Sequence, residues 1–264
     1  MQLYQHPYSL DSQKVRLALE EKGLDYWPYS INPLKAKNLD SRIFRMNPTG
    51  KLPVFLNGQH IILDTLSILQ YIDSIHEPLG GDAVDREKML LWMRSIDSWN
   101  PKLFTLSHVP QKYRLFFSRF QRRAAIARMA ECPDLAGKYH LKLHSAYATE
   151  EQLKDKELIN SSNELLIKIL DAAEDQLSST DFLAGGAFSM ADAMFIPILA
   201  RINLLNLEEE YIGSRSHLLD YWNRVKKRPS YHAVIGKYFS GWRKYKTLYA
   251  TYSSVWVRNL FRRY

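Results

Sequence analysis

Residues 47–75 read NPTGKLPVFLNGQHIILDTLSILQYIDSI and carry the clearest structural pattern in the chain. Two short apolar runs, residues 53–56 and 60–63, flank Asn57-Gly58, a pair that is typical of a tight β-hairpin turn. Over residues 64–75 the apolar side chains recur three or four positions apart, which indicates one buried face of a helix. The stretch therefore predicts a hairpin followed directly by a helix.

The residues before position 47 continue this alternation of strands and helices. A strand over residues 2–4 precedes a helix that starts after Ser9 or Asp11, either of which suits an N-cap, and ends at Gly23. A second strand over residues 26–30 and a short helix over residues 39–46 follow. We expect residues 1–78 to form one small α/β domain.

Helical periodicity replaces this pattern after a break at Pro78, Gly80 and Gly81. From residue 85 onward the chain has almost no strand signal, so we expect residues 79–235 to form an all-helical domain. Residues 236–264 form a separate basic tail. The last 44 residues contain 11 Lys or Arg and no Asp or Glu, whereas the first 220 contain 25 basic and 28 acidic residues.

The composition excludes several classes of protein. Of the 264 residues 46% are hydrophobic and 24% charged, a balance typical of folded proteins and not of disordered or collagenous ones. The one cysteine, Cys132, excludes an intramolecular disulfide, a thiolate zinc cluster and a C-x-x-C redox pair. With no leader-like start and no run of about 18 apolar residues, the sequence predicts a cytoplasmic protein.

Three local motifs resemble those of the cytosolic glutathione transferases: NPTGKLPVF at residues 47–55, Asp64-Thr65 before a helix, and FSMADAMF at residues 188–195. The last contains Ser189 and Asp192, which resemble the family's buried capping box with a role in folding. The surroundings of Ser9 are similar to the serine-type class of plant transferases named after bacterial tetrachlorohydroquinone dehalogenases. The resemblance implies a thioredoxin-like domain that binds glutathione, followed by a helical domain that holds a hydrophobic electrophile. It implies no cofactor beyond the co-substrate glutathione and is compatible with a homodimer.

The resemblance also implies roles for five residues around the glutathione site. The proline that matches Pro53 is cis in the family, which turns the backbone groups of Leu52 toward the ligand's thiol peptide. Asp64 and Thr65 match a pair that binds the γ-glutamyl end, where a helix N-terminus favours a carboxylate, although Asp64 is also a plain helix cap. Lys51 resembles a lysine that holds the glycine end in some classes, and an exposed loop lysine is an equal alternative.

Ser9 is the candidate catalytic residue, because it stands between the first strand and the first helix. Only a thiolate is nucleophilic, and a free thiol with a pKa of about 8.5 is mostly protonated at neutral pH. A hydroxyl that donates to the sulfur, assisted by N–H groups at a helix N-terminus, favours the thiolate. An isolated serine at such a position would be an ordinary N-cap, and the flanking motifs favour the catalytic role.

Two tyrosines compete with Ser9, since other classes of the family use an early tyrosine. Tyr4 lies inside the first predicted strand and is expected in the core, whereas Tyr8 is a candidate for lining the electrophile pocket. The dehalogenases carry a cysteine two residues after the serine, and this chain has Asp11 there. Because aspartate cannot exchange disulfides, we expect conjugation of glutathione and not reductive dehalogenation.

An inactive protein of the same fold, serving as a membrane-associated or protein-interaction module, is the alternative. The arginine-rich residues 114–128 favour it, and the retained site motifs favour the enzyme. His140 and His144 are four apart, but two imidazoles without a third ligand make a poor site, so no metal is expected.

The tail combines an aromatic periodicity with positive charge. The spacing predicts one helix with an aromatic face formed by Tyr238, Trp242, Tyr245, Tyr249, Tyr252, Trp256 and Leu260. The cations among them are Lys237, Arg243, Lys244, Lys246, Arg258, Arg262 and Arg263. Such a helix suits an anionic membrane surface or packing on the helical domain. Aromatic rings among cations also stack on single-stranded nucleic acid, but the transferase-like body disfavours a nucleic-acid partner.

Overall fold

A four-stranded sheet forms the centre of the N-terminal domain in the computed structural model, which describes residues 1–261 apart from the side chains of Arg243, Lys244 and Leu248. The strands are β1 (Gln2–Gln5), β2 (Trp27–Ser30), β3 (Val54–Asn57) and β4 (His60–Ile62). Their order is β2-β1-β3-β4. Strand β1 runs parallel to β2 and antiparallel to β3, and β3 and β4 form the predicted hairpin.

Three helices cover the two faces of this sheet: α1 (Leu10–Glu21), α2 (Ser41–Met46) and α3 (Thr65–Ser74). Because side chains alternate along a strand, Leu3 and Phe55 enter the main core with α1 and α3, whereas Tyr4 and Val54 face the opposite side with Ile43 of α2. Helix α2 begins later than the predicted position 39, since Lys37–Leu39 forms a separate 3₁₀ turn.

The rest of the chain is helical, as the periodicity predicts, and the expected fold class is confirmed. The helices are α4 (Arg86–Ser98), α5 (Pro101–Ser107), α6 (Gln111–Glu131), α7 (Ala136–Gln152), α8 (Lys156–Leu177), α9 (Met190–Leu204), α10 (Glu208–Tyr211), α11 (Ser216–Val225), α12 (Pro229–Tyr231), α13 (Lys237–Phe239) and α14 (Gly241–Leu260). Helix α9 is buried over almost its whole length and packs against α1, α4 and α11. It therefore joins the two domains.

A buried carboxylate holds the start of α9. Asp192 accepts hydrogen bonds from the backbone N–H (2.9 Å) and the hydroxyl (2.7 Å) of Ser189, from the N–H of Leu183 (3.1 Å) and from the hydroxyl of Tyr221 (2.9 Å). This arrangement contains the predicted capping box. Burial raises the pKa of Asp192, and the four donors oppose that shift by favouring the carboxylate.

A second contact between the domains lies over α2. The ring of Tyr139 in α7 stacks on Phe44 with centroids 4.1 Å apart, and its hydroxyl donates to the carbonyl of Leu39 at 2.8 Å. Phe120 of α6 and Val255 of α14 complete this smaller core. Helices α6, α7 and α14 therefore clamp the segment between β2 and β3.

The tail is not the single helix that its spacing predicts. It divides at Ser240 and Gly241, where Gly241 has a φ of +59° that suits glycine. Tyr238 therefore belongs to α13, and the other aromatic residues belong to α14. Of the predicted tail cations, Arg262 and Arg263 lie outside the described residues.

Helix α14 packs on the body by one face only. Thr251 and Val255 are buried, Asn32 donates to Thr251 Oγ1 at 3.2 Å, and Arg258 donates to the Lys35 carbonyl at 2.8 Å. The opposite face is exposed and carries Trp242, Tyr245, Tyr249, Trp256 and Leu260, which we call the outer aromatic row. Trp242 and Tyr249 are 77% and 74% exposed. Helix α14 thus packs on the body, but through Thr251 and Val255, whereas most of the predicted aromatic face is exposed. Of that face, Tyr252 contacts the ring of Phe116, with centroids 4.8 Å apart.

We predict that Asp192→Ala lowers the free energy of unfolding by about 3–5 kcal/mol, because it leaves four buried donors without an acceptor. Urea denaturation followed by circular dichroism measures this loss. Asp85→Ala is a matched control, since the exposed Asp85 caps α4 through one bond to the Lys88 N–H at 3.0 Å. That variant should lose only about 1 kcal/mol. Equal losses would contradict the role assigned to burial.

Candidate functional site

The loop between β1 and α1 places Ser9 at the N-terminus of α1. Its Oγ accepts a hydrogen bond from the Ser12 N–H at 3.4 Å, and its hydroxyl donates to the Leu52 carbonyl at 3.5 Å. Both distances are long for such bonds, and Ser9 is half-buried. Its hydroxyl thus caps the helix through weak contacts and can turn toward a better acceptor in the cleft.

Side chains of α1 hold this loop in place. Gln13 donates through Nε2 to the Pro7 carbonyl at 2.6 Å, and the Ser12 hydroxyl accepts from the His6 N–H at 3.4 Å. The Ser9 N–H donates to the His6 carbonyl at 2.9 Å. Sequence reasoning missed Ser12 and Gln13, because their contribution depends on which face of α1 meets the loop.

Burial lowers the pKa of His6 to about 4, so its imidazole is neutral at neutral pH. Its Nδ1 lies 3.4 Å from the N–H of Tyr8, which donates to it. A protonated imidazole would carry a hydrogen on that nitrogen and would lose this bond. The loop geometry around Ser9 therefore depends on a neutral His6.

The NPTGKLPVF stretch meets Ser9 from the other side. The Leu52–Pro53 peptide bond is cis, as the resemblance implies, and the carbonyl of the buried Leu52 faces the Ser9 hydroxyl. The Asn47 side chain donates to the Lys51 carbonyl at 2.9 Å and fixes the preceding turn. The structure thus brings Ser9, Leu52 and Pro53 together where the central strand β1 ends and its neighbour β3 begins.

Asp64 and Thr65 lie at the start of α3. Asp64 Oδ2 accepts from both the N–H and the hydroxyl of Ser67 at 2.8 Å, so Asp64 acts as the helix cap. Across the cleft, loss of solvent raises the pKa of Asp97 in α4, and Lys14 opposes this shift while Asp64 adds to it. The charge of Asp64 therefore acts on Asp97 across the boundary of the two domains.

Three lysines form a positive region beside the same loop. Lys142 of α7 donates to the Thr49 carbonyl at 2.6 Å, and burial together with Lys102 and Lys51 lowers its pKa to about 8. Burial and the charge of Lys51 also lower the pKa of Lys102 in α5. Lys51 is an exposed loop lysine, and its charge acts on both Lys102 and Lys142.

The two tyrosines have different surroundings. Tyr4 is buried in β1 and stacks on Tyr29 with centroids 4.8 Å apart, so the predicted core position is confirmed. The hydroxyl of Tyr8 donates to the Tyr238 carbonyl at 3.1 Å, and its ring lies 5.3 Å from that of Phe239. The side chain of the half-buried Tyr8 thus contacts the tail.

Arg201 of α9 is a component of the site that sequence reasoning missed. Its guanidinium donates through Nη2 to the Tyr8 carbonyl at 2.6 Å, and the residue is only 8% exposed. The peptide it binds is the one that precedes Ser9. The available signal was a single arginine within the apolar stretch MFIPILARINLL at residues 194–205.

The two histidines singled out in the sequence do not belong to a metal site in the described residues. The rings of His140 and His144 lie 4.7 Å apart, and residues 1–261 contain no group of three or more His, Cys, Asp or Glu placed to hold a metal ion. Within the same residues, no helix combines the length and the apolar character needed to cross a membrane.

We predict that His6 makes stability depend on pH below neutrality. Its pKa is about 4 in the folded protein and about 6.5 in the unfolded chain, so the unfolded state binds the extra proton first. Stability should be unaffected by His6 above pH 7 and should fall by about 2 kcal/mol on going to pH 5. Urea unfolding of the wild type and of His6→Asn at both pH values measures this difference. A variant with the same pH dependence as the wild type would contradict the prediction.

Comparisons with known proteins agree with this architecture. Residues 3–80 match the family model described as glutathione S-transferase, N-terminal domain, and residues 147–233 match glutathione S-transferase, C-terminal domain. The chain is 56% identical to glutathione S-transferase TCHQD of Arabidopsis thaliana, with 100% of both chains covered. It is 27% identical to the tetrachloro-p-hydroquinone reductive dehalogenase of Sphingobium chlorophenolicum, covering 88% of this chain and 94% of that protein.

Solved structures share the fold at low identity. Glutathione transferase F2 of Populus trichocarpa matches with a TM-score of 0.63 and 19% identity, covering 91% of this chain and 99% of that one. The beta-etherase LigF of Sphingobium matches with a TM-score of 0.65 and 17% identity, covering 89% and 98%. The resemblance carried by the three motifs is confirmed by the full-length relative, and the chain belongs to the glutathione S-transferase family.

Proposed function

We propose that the protein conjugates the thiol of glutathione to hydrophobic electrophiles, with Ser9 stabilising the thiolate. The observation that carries this proposal is the position of the Ser9 hydroxyl, between the N-terminus of α1 and the Leu52 carbonyl before the cis Pro53. A hydroxyl with only long contacts of its own gains a stronger, charge-assisted bond when a thiolate replaces them. The name of the 56% identical relative, a glutathione S-transferase, supports the same reaction.

The charges around Ser9 suit a ligand with one ammonium and two carboxylates. In this proposal the start of α3, with Asp64 and Thr65, binds the γ-glutamyl end through its N–H groups and the Asp64 carboxylate. Lys51 binds the glycine carboxylate, and the nearby Lys102 and Lys142 add positive charge from the helical domain. The backbone of Leu52 then pairs with the central cysteine of the ligand.

The electrophile lies between the domains beside Tyr8, where the ring of Phe239 provides an apolar surface. Conjugation is favoured over the reductive reaction named for the dehalogenase relative. Asp11 occupies the position of the dehalogenases' cysteine, two residues after the serine. It forms an ion pair with Lys14 at 2.9 Å. The single cysteine, Cys132, packs against the smaller core over α2, so no protein thiol is available beside Ser9 to resolve a mixed disulfide.

The cellular setting forms part of this proposal. A cytoplasmic location supplies reduced glutathione and suits a chain with one free cysteine. A homodimer is compatible with the reaction, because Ser9, Leu52 and Asp64 all come from one chain.

We predict that Ser9→Ala lowers the rate of conjugation of 1-chloro-2,4-dinitrobenzene by about one to three orders of magnitude, the loss expected for one preorganised donor. Steady-state kinetics measure the rate, and retention on immobilised glutathione checks that binding persists. Tyr8→Phe tests the competing hydroxyl and should cost less. Full activity in Ser9→Ala together with loss in Tyr8→Phe would reverse the assignment, and failure of the wild type to bind glutathione would refute the function.

We further propose that the outer aromatic row of α14 attaches the enzyme to an anionic membrane surface. Five exposed aromatic or apolar side chains on one helix face are unusual for a face in contact with water alone. The tail contains cations and no acidic residue, and each cation near an anionic surface contributes about 1 kcal/mol. Rings at headgroup depth and cations against lipid phosphates fit this composition.

The structure gives less weight to the alternative of an inactive interaction module. That alternative rested on the arginine-rich segment of α6 as a binding surface. Several of these arginines instead have partners within the protein. Arg122 pairs with Glu150 at 2.9 Å, Arg128 pairs with Asp40 at 2.8 Å, and Arg123 donates to Asn259 at 2.6 Å. These contacts hold α6 to α7, to the N-terminal domain and to α14.

We predict that the full chain sediments with vesicles of 70% phosphatidylcholine and 30% phosphatidylserine and that added salt reduces the bound fraction. A variant with Trp242, Tyr249 and Trp256 changed to Ser should bind at least tenfold more weakly, with its conjugating activity retained. Trp27→Ser is the matched control, since Trp27 is an exposed tryptophan of β2 on another surface. Absence of binding at low salt, or equal loss in the control, would refute membrane attachment.

A further inference from the structure

Arg201 is a buried cation that the fold does not explain. It projects from the apolar helix α9, it is 8% exposed, and its Nε has no hydrogen-bond partner. Among residues 1–261 no carboxylate lies within ion-pair distance of its guanidinium. Burying a charge without a paired charge costs several kcal/mol, so an apolar side chain would stabilise α9 better.

The surroundings of Arg201 place its charge beside Ser9. Its Nη2 donates to the Tyr8 carbonyl at 2.6 Å, and ordinary bond lengths from that carbonyl put the Ser9 Oγ within about 9 Å of the guanidinium carbon. The ring of Phe239 in α13 lies 5.9 Å from the same carbon and covers it from the tail side. Little water therefore screens the space between Arg201 and Ser9.

Among the described residues, the other charged and titratable groups around Arg201 leave its guanidinium without a direct ion-pair partner. Asp11 of α1 attracts Arg201 but is already paired with Lys14. The phenol of Tyr8 and the imidazole of His6 are neutral at neutral pH, and Asp97 of α4 is influenced by Lys14 and Asp11. Burial lowers the pKa of Arg201 to about 10, which keeps the guanidinium charged at neutral pH.

We propose that Arg201 is a positioning residue that favours the thiolate of glutathione bound beside Ser9, acting through its buried charge and through the Tyr8–Ser9 peptide. This inference rests on the proposed conjugation reaction. The step is a proton equilibrium in which the thiol releases its proton to solvent and no electrons are transferred. The thiolate lies one hydrogen bond beyond the Ser9 Oγ and so within about 12 Å of the Arg201 charge, and at an effective dielectric constant of about 20 that distance shifts the equilibrium by roughly one pKa unit.

The negative charge of Asp11 explains why a buried cation near Ser9 is useful. A carboxylate in the first turn of α1 opposes a nearby thiolate, and this chain has one two residues after Ser9. Lys14 and Arg201 supply two positive charges against it. Arg201 thus offsets the electrostatic effect of the aspartate that stands where the dehalogenases have a cysteine.

The test is a titration of the thiolate absorbance of glutathione bound to the full chain, between pH 5 and pH 10. We expect Arg201→Met to raise the pKa of the bound thiol by about one unit and Arg201→Lys to raise it by about 0.2–0.4 unit. The kcat/KM profile for 1-chloro-2,4-dinitrobenzene should move by the same amount. At pH 6.5 the activity of Arg201→Met should therefore be about tenfold lower, and near pH 9.5 it should approach that of the wild type.

Lys22→Met is the matched control, since Lys22 also binds backbone carbonyls, those of Asp73, Ile75 and Glu77, but lies at the far end of α1. It is about 20 Å along the helix from Ser9, and its loss should leave the thiol pKa unchanged. Circular dichroism and glutathione affinity establish that each variant is folded. If Arg201→Met does not fold, Arg201→Lys against the wild type still decides, because a thiol pKa unchanged to within 0.1 unit would refute the proposal.

Two other results would overturn the inference while leaving the conjugation reaction intact. A wild-type thiol pKa in a folded Arg201→Met that still binds glutathione would remove any electrostatic role. An unchanged thiol pKa with a raised KM only for 4-chloro-3,5-dinitrobenzoate, the acidic counterpart of 1-chloro-2,4-dinitrobenzene, would make Arg201 a binding group for the electrophile. In contrast, a wild-type protein that fails to lower the thiol pKa of glutathione at all would refute the proposed function itself.

Discussion

The packing of α1 along α9 is the contact on which the rest of the structure depends. It places α1, with the buried Val15, Leu17 and Ala18, in one continuous core with the most apolar helix of the second domain. Because α9 is fixed at its start by the four hydrogen bonds to Asp192, α1 is held in one position. The N-terminus of α1, which is capped by Ser9, is therefore fixed as well.

The two ends of α1 are used differently. At the C-terminal end Lys22 binds three backbone carbonyls, and Glu21 accepts two hydrogen bonds from Arg228 at 2.6 and 2.7 Å. At the N-terminal end the contacts of Ser9 are weak, and Arg201 has an unpaired nitrogen. Gln13 and Arg201 hold the loop backbone at this end at 2.6 Å, whereas the Ser9 hydroxyl and the Arg201 Nε keep unused hydrogen-bonding capacity for a ligand.

The tail contacts two separate parts of the body. Val255 and Thr251 bind α14 to the smaller core, and Phe239 and Tyr238 extend the preceding segment to Tyr8. Removing the tail would therefore disturb the cleft as well as the outer surface. The outer aromatic row is exposed, so side-chain replacements there can be tested separately from the contacts of Thr251 and Val255.

The sequence by itself determined the hairpin, the helix of residues 64–75, the change from α/β to helical structure and the capping box at Ser189 and Asp192. These features are local, since turn chemistry, caps and periodicity act over a few neighbouring residues. The three motifs were also local, and they sufficed to indicate the family.

Only the tertiary structure decided which face of α14 is buried and which groups surround Ser9. The spacing of the tail's aromatic residues is the same whether they face protein or solvent, so the choice depended on Val255 meeting Phe120 from α6. Arg201 lies 192 positions after Ser9 in the chain, and its closeness to the site follows from the packing of α9 on α1. Electrostatic interactions depend on distance and burial in space, and those quantities exist only once the helices are packed.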